Sequence, residues 1–237
     1  MIAMLEQAHA QGVGLVVFPE LALTPFFPRW HIEDERELDA FYEAQVPGPG
    51  SAPLFDAARR LGLGLQLGYA ERDVTGGGVN RFNSTVLVDR SGAVIGRYRK
   101  IHLPGDRERR ADAAFQHLEK RYFECGNGGF RAWRAFGGVV GPLICNDRRW
   151  PEAWRVLGRR ARAGGLQHAA AQSRSAGARP LGCLSSRTGD AGQLLPERHL
   201  GCGHRQGRHG GRPGPTWRLD DRVAHRRDRS PLVAGGG

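Results

Sequence analysis

Apolar positions in the first two thirds of the chain fall into short blocks with two different rhythms. "GVGLVVF" (residues 12–18) is a run of apolar residues that stops at Pro19-Glu20, and "LGLGLQLGYAE" (61–71) is a second. "STVLVD" and "AVIGRYR" (84–99) flank a polar "RSG" and together predict a β-hairpin. Between these blocks the period lengthens. "SAPLFDAARRLG" (51–62) opens with a serine in capping position and repeats Leu54, Ala57, Ala58 and Leu61 along one helical face. "PEAWRVLG" (151–158) has proline at its start and glycine at its end, which predicts a helix confined between them. Strands alternating with helices, plus one hairpin, predict an α/β sandwich of layers with mixed strand directions.

The pattern changes after Gly158. Residues 159–237 contain no Ile, Phe, Tyr, Lys, Met or Asn and keep no period of 2 or 3.6. Such text builds little core, so the domain is expected to occupy residues 1–158, and the remainder to be an Arg/Gly-rich disordered or out-of-frame tail. The formal net charge of +11 resides almost wholly in that tail. Residues 1–158 balance 20 Lys and Arg against 19 Asp and Glu, whereas the tail has 15 Arg against 5 acids. A basic nucleic-acid-binding arm is one reading of the tail, but its arginines are not interleaved with aromatics, and no specific nucleic-acid partner is expected. A frameshift near residues 158–163 is another. Residues 166–169 ("LQHA") admit codons that read Tyr-Asn-Thr one base later, and residues 195–201 and 223–229 become strand-and-turn text under the same shift.

With 237 residues the chain is long enough to bury one sizeable core. Cys125, Cys145, Cys183 and Cys202 show neither CxxC pairing nor zinc-type spacing, which suggests free thiols in a reducing compartment. No apolar run approaches the roughly 18 to 20 residues of a membrane span, and "MIAMLEQAHAQ" lacks the basic and apolar regions of a signal peptide. A cytoplasmic protein with no membrane partner is the expectation.

Three chemically capable residues stand at the ends of apolar runs: Glu20 after "LVVFP", Lys100 after "VIGRYR", and Cys145 after "VVGPLI". The ends of neighbouring strands converge at one edge of a sheet, the usual place for a site in an α/β fold. Each also has a plainer reading, as a solvated loop acid, a surface cation and a buried inert thiol. Taken together they form a set suited to acyl transfer. A cysteine needs a base to become thiolate near neutral pH, a carboxylate with a raised pKa can serve, and an ammonium stabilises a developing oxyanion.

The stretches around them, "FPELALT", "GRYRKIHLPG" and "LICNDRRWPEAWRVLG", resemble the glutamate, lysine and cysteine motifs of the nitrilase superfamily of carbon-nitrogen hydrolases. With "FFPRWHI" (26–32) and "FQHLEKRYFECGN" (115–127), they resemble in particular its N-carbamoyl-D-amino acid amidohydrolase branch, over residues 1–158. The resemblance implies a nitrilase-like αββα sandwich with Cys145 as nucleophile, Glu20 as general base, Lys100 as oxyanion partner and Glu119 as a second glutamate beside them. It implies that Asn146, Arg148 and Arg149 contact the substrate, the arginines through its α-carboxylate, and that His102 and His117 line the pocket. The implied reaction converts an N-carbamoyl-D-amino acid to the D-amino acid, carbon dioxide and ammonia, with no metal or organic cofactor. Another nitrilase-like amidase or ureidopropionase is the neighbouring alternative.

Relative to that family the sequence departs at both ends. "MIAMLEQAHAQGVG" resembles the second half of the family's first helix, so the preceding strand is expected to be missing, and the later strands are not legible after Gly158. Such losses leave sheet edges unpaired and weaken a domain stable by only about 5–15 kcal/mol, which implies poor folding and little activity. The resemblance also implies a homo-oligomer whose contacts draw on C-terminal segments that this chain does not legibly carry.

Overall fold

A computed structural model describes residues 1–113, 115–161 and 167–168. The chain enters through helix α1 (Ile2–Ala10) and strand β1 (Leu15–Val17), continues through α2 (Glu35–Asp39) and α3 (Ala52–Arg60), and then forms the long strands β2 (Gly64–Asp73), β3 (Asn80–Val88) and β4 (Val94–Arg99). A short helix α4 (Glu119–Tyr122), a small hairpin β5 (Trp133–Ala135) and β6 (Gly138–Val140), and strand β7 (Leu143–Ile144) follow. A 3-10 turn (Cys145–Arg149) leads into α5 (Pro151–Ala161), and β8 (Gln167–His168) pairs in parallel with β7.

The central sheet has the order β1-β2-β3-β4. Its strand directions are mixed, as the sequence pattern predicts: β1 runs parallel to β2, while β2, β3 and β4 are antiparallel. The hairpin at "RSG" closes because Asp89 Oδ1 accepts from the backbone of Ser91 and Ala93 and from the Ser91 hydroxyl, while Gly92 supplies the left-handed φ of +85°. Residues 64–71 of β2 are buried without alternation, because both faces of the strand are covered. One face receives α1 and α3 through Leu5, Leu54, Phe55, Ala57 and Ala58, packed on Val16, Leu65, Leu67 and Val86. Another core contains Phe27, Tyr42, Tyr122 and Phe123, with Phe27 and Phe41 stacked at 4.7 Å.

That aromatic cluster clamps two distant segments together. The Tyr122 hydroxyl donates to the Trp30 carbonyl (2.7 Å) and accepts from the Ile32 amide (2.8 Å), while Leu118 N donates to Pro28 O (2.8 Å). The "FFPRWHI" and "HLEKRYF" stretches are therefore partners in space, and their pairing fixes the start of α4.

Two local expectations are corrected. Ser51 occupies the cap position of α3, but its hydroxyl makes no cap bond to the helix; it turns back to accept from Gly48 N at 2.9 Å, so the preceding turn competes for the oxygen. Helix α5 does not stop at Gly158 but runs on to Ala161. A mid-helix glycine costs only about 1 kcal/mol against alanine, and the burial of Ala153, Trp154 and Leu157 against Leu143 outweighs it. The tail reading for residues 159–237 otherwise falls outside the described residues.

Next to the end of the sheet, Glu71 is nearly inaccessible and accepts from Ser84 Oγ (2.6 Å), Arg97 (3.0 Å) and Arg99 (2.7 and 2.9 Å), with Arg99 also reaching Asp73 at 2.6 Å. The network ties β2 to β3 and β4 immediately beside Lys100. Removing a buried partner leaves cations uncompensated, so Glu71→Ala is expected to lose about 3 kcal/mol in denaturant unfolding. Arg97 has 45% of its side chain exposed, and Arg97→Ala is expected to lose less than about 1 kcal/mol.

Candidate active site

Each capable side chain is delivered by a different element: Glu20 by the chain after β1, Lys100 by the end of β4, Glu119 by the start of α4 and Cys145 by the turn after β7, which lies outside the central sheet. The chain leaving β1 stays hydrogen-bonded to the edge of β2 through Phe18 N to Gln66 O and Ala22 N to Gly68 O, which carries Glu20 inward. Leu21, directly after it, has a left-handed φ of +51°. Lys100 follows the last residue of β4, with its amide bonded to Asn83 O at 2.8 Å. Glu119 opens α4. Gly105, in "LPG", packs where a Cβ would run into the His117 carbonyl, and the same carbonyl accepts from Asp106 N at 2.8 Å, so the segment before α4 lies close against the loop after Lys100.

Lys100 is wholly buried and donates to Glu20 Oε1 and to Glu119 Oε2, both at 2.6 Å. Asn83 Nδ2 adds a bond of 2.6 Å to the same Glu20 oxygen and a longer one of 3.4 Å to Glu119 Oε2. His117 Nε2 lies 3.1 Å from Glu119 Oε1. Both Glu119 oxygens are thus engaged, whereas Glu20 Oε2 is buried and meets no partner among the described residues.

These contacts drive the two carboxyls apart. Burial raises the Glu20 pKa and the neighbouring Glu119 charge adds to it, against the pull of Lys100. Burial acts on Glu119 too, but Lys100 and the hydrogen bond from His117 outweigh it and hold that carboxyl below the usual range. Lys100 resists burial because Glu119 and Glu20 together hold its proton.

Cys145 opens the 3-10 turn directly after β7 with a left-handed φ of +44°, a conformation that costs a non-glycine residue on the order of 1–3 kcal/mol. Burial pushes its thiol up to about 12; the charges of Glu20 and Glu119 also raise it, and those of Lys100 and Arg148 lower it. The thiol is therefore neutral at rest and within electrostatic reach of all four. Asp147 anchors the turn. Its carboxylate accepts from the Tyr98 hydroxyl (2.8 Å), from the amides of His102 (2.8 Å) and Ile144 (3.3 Å), and lies 3.0 Å from His102 Nδ1.

The remaining predicted residues divide. Arg148 is buried beside Cys145, whereas Arg149 is exposed, because successive residues of a 3-10 turn point about 120° apart. His102 stacks on Trp150 at 5.0 Å, and Asn146 Nδ2 donates to the His102 carbonyl at 3.1 Å. Both line a cleft of about 240 Å³ with Ile101, Leu103, Arg107 and Lys120, and that lining does not include Cys145, Glu20 or Lys100. Among the described residues, no group of three or more His, Cys, Asp and Glu side chains is placed to hold a metal ion. No helix there is long and apolar enough to cross a membrane.

Residues 1–162 match the model of the carbon-nitrogen hydrolase family. The chain belongs to that family. Among the relatives of this carbon-nitrogen hydrolase, a nitrilase of Pyrococcus abyssi is 34% identical over 154 residues, which are 65% of this chain and 51% of the relative. An N-carbamoylputrescine amidase of Arabidopsis thaliana is 28% identical over 157 residues, 65% of this chain and 46% of the relative. A citrullinase of Francisella tularensis is 34% identical over 100 residues, 42% and 31% of the two chains. The chain thus spans about half or less of these relatives. In three dimensions it resembles a carbon-nitrogen hydrolase from Helicobacter pylori (TM-score 0.67, 22% identity, 85% of this chain and 66% of that one). It also resembles an amidase from Nesterenkonia sp. (TM-score 0.61, 20% identity, 86% and 67%). The fold is accordingly the nitrilase-like α/β fold.

Asn83 and Asp147 were not legible as site residues. The one available signal is that "NST" places three polar residues in succession inside a strand whose next three positions are apolar, and all six are buried.

Replacing Lys100 by methionine should leave two buried carboxyls facing each other and cost about 3 kcal/mol at pH 7. Glu119 has a depressed pKa in the folded protein, so its stabilisation is present above the unfolded value of 4.5 and is lost as pH falls below it. The difference between wild type and Lys100→Met in denaturant unfolding should therefore be largest near neutral pH and shrink below about pH 4.5.

Proposed function

We propose that the site hydrolyses the carbon-nitrogen bond of an N-carbamoyl amino acid, with N-carbamoyl-D-amino acids as substrate class and without a cofactor. The observation that carries the reading is the arrangement of Glu20: one oxygen bonded to Lys100 and Asn83, the other buried and idle near a neutral thiol. Glu20 Oε2 takes the Cys145 proton as Sγ attacks the ureido carbonyl, and Lys100 offsets the charge that develops on oxygen. The tetrahedral adduct collapses with loss of ammonia, protonated through Glu20, leaving the carbonyl carbon on sulfur with the amino acid still attached through its nitrogen. Water, activated by the same carboxylate, then releases the thiol and a carbamate, which breaks down to carbon dioxide and the amino acid. Glu119, held ionised by Lys100 and His117, keeps the lysine charged while Glu20 exchanges its proton. Arg148, buried beside the thiol, is the better placed arginine for the substrate carboxylate, with Arg149 closing from outside. His102 and Asn146 support the cysteine turn and the neighbouring cleft. Residues 1–158 form the hydrolase unit in this reading.

The sequence resemblance supports the D-carbamoyl class, and a relative named for an N-carbamoyl substrate supports carbamoyl chemistry in general. The test is ammonia release by the full chain from N-carbamoyl-D-amino acids, compared with the L-forms, N-carbamoyl-β-amino acids and simple amides. Turnover, slow in a chain that spans about half of its relatives, is expected with the D-forms, absent in Cys145→Ala and lowered about 10²–10⁴-fold in Glu20→Gln. Turnover of simple amides alone would assign the site to an ordinary amidase, and release that survives Cys145→Ala would refute the mechanism.

A further inference from the structure

Asn83 is the side chain of the cluster that the acyl-transfer chemistry leaves without a part. It is completely buried at the first position of a strand-borne polar run, and its side chain reaches both glutamates. Its carbonyl accepts from the Lys100 amide at 2.8 Å, while its side-chain amide donates to Glu20 at 2.6 Å and, more weakly, to Glu119 at 3.4 Å. Its own Oδ1 is buried without a partner among the described residues. Reversing the amide would aim that oxygen at two carboxylate oxygens, so the nitrogen must face them.

A buried amide with an idle carbonyl is a cost to the fold, and an apolar side chain of the same shape would avoid it. The gain must lie in what the nitrogen does. Lys100 stands equally far from both carboxylates and cannot distinguish them, whereas Asn83 lies much nearer to Glu20. It stacks its bond on the oxygen that Lys100 already holds, so Glu20 carries two donors on Oε1 and none on Oε2. Glu119 has one donor group on each side, Lys100 and His117. We propose that Asn83 is a positioning residue that pins Glu20 through Oε1 and so keeps Oε2 free to exchange the proton of Cys145. The proposal rests on the acyl-transfer reading above for its purpose, but not for its geometry. The charged or titratable groups that face Glu20 are Lys100, Glu119 and Cys145, with His117 behind Glu119. Asn83 is the neutral donor among them, and its bond favours the ionised form of Glu20.

The experiment is a carbon-13 NMR titration of the full chain labelled at glutamate side chains, with the Glu20 resonance assigned by its absence from Glu20→Gln. In Asn83→Leu the Glu20 midpoint should rise by about one pH unit or more, with the Glu119 midpoint moving less and thermal melting at or above the wild-type temperature. Asn83→Asp, which replaces the donor by a like charge, should shift it further and keeps the test available if the leucine variant does not fold. An acid limb of turnover that moves upward with the titration would tie the contact to the reaction. A Glu20 midpoint unchanged in a folded variant would overturn the proposal. A shifted midpoint in a chain that turns over no carbamoyl substrate would leave the positioning role standing and remove the reaction reading instead.

Discussion

The structure depends on one buried ammonium held between two carboxylates. Lys100 has no accessible surface, and Glu119 has 1%. Taking such charges out of water costs several kcal/mol per ion, and only close, well-aligned bonds repay it. Three separate elements must therefore meet to within a few tenths of an ångström: the chain leaving β1, the end of β4, and the start of α4. The hairpin register secures the second, because a slip of one residue would turn Lys100 to the opposite face. The Tyr122 clamp secures the third, and the Glu71–Arg99 network holds the residue beside Lys100.

Around that fixed charge the site separates tasks that its composition alone would leave equivalent. Two glutamates share one lysine at the same distance, yet the pKa of Glu119 is held below the usual range and that of Glu20 is raised above it. The difference comes from burial, which dominates at Glu20, and from Lys100 together with the His117 bond, which outweigh burial at Glu119. The thiol is handled indirectly: Cys145 gains its place from a strained φ and from Asp147, which gathers bonds from Tyr98, His102 and Ile144 below it. The stored strain is small beside the polar bonds that maintain it.

Glu20, Lys100 and Cys145 were legible because each ends an apolar run, and strand ends are where a sheet delivers side chains to an edge. The hairpin and the mixed sheet were legible for the same reason of period. Glu119 was not, from residues alone: in "HLEKRYF" it reads as an exposed helix charge, and only the family resemblance marked it, since its burial depends on a clamp more than eighty residues away in sequence. Asn83 and Asp147 escaped because patterning rules send polar residues outward and say nothing about those that stay inside to serve another charge. The two arginines after Cys145 read as a pair, but the 3-10 turn separates them, a geometry that no residue type announces. Helix α5 passes its glycine because packing of Trp154 and Leu157 outweighs a weak local propensity.

In the proposed reaction Cys145 carries the substrate's carbonyl carbon as an S-linked thiocarbamate while Glu20 moves the proton. Rapid acid quench of the full chain with an N-carbamoyl-D-amino acid, followed by peptide mapping by mass spectrometry, measures this directly. The peptide containing Cys145 should gain the mass of the substrate less ammonia, an increment absent from Cys145→Ala and depleted in Glu20→Gln. Ammonia released while that peptide stays unmodified at every quench time, or an adduct on Cys125 instead, would contradict it.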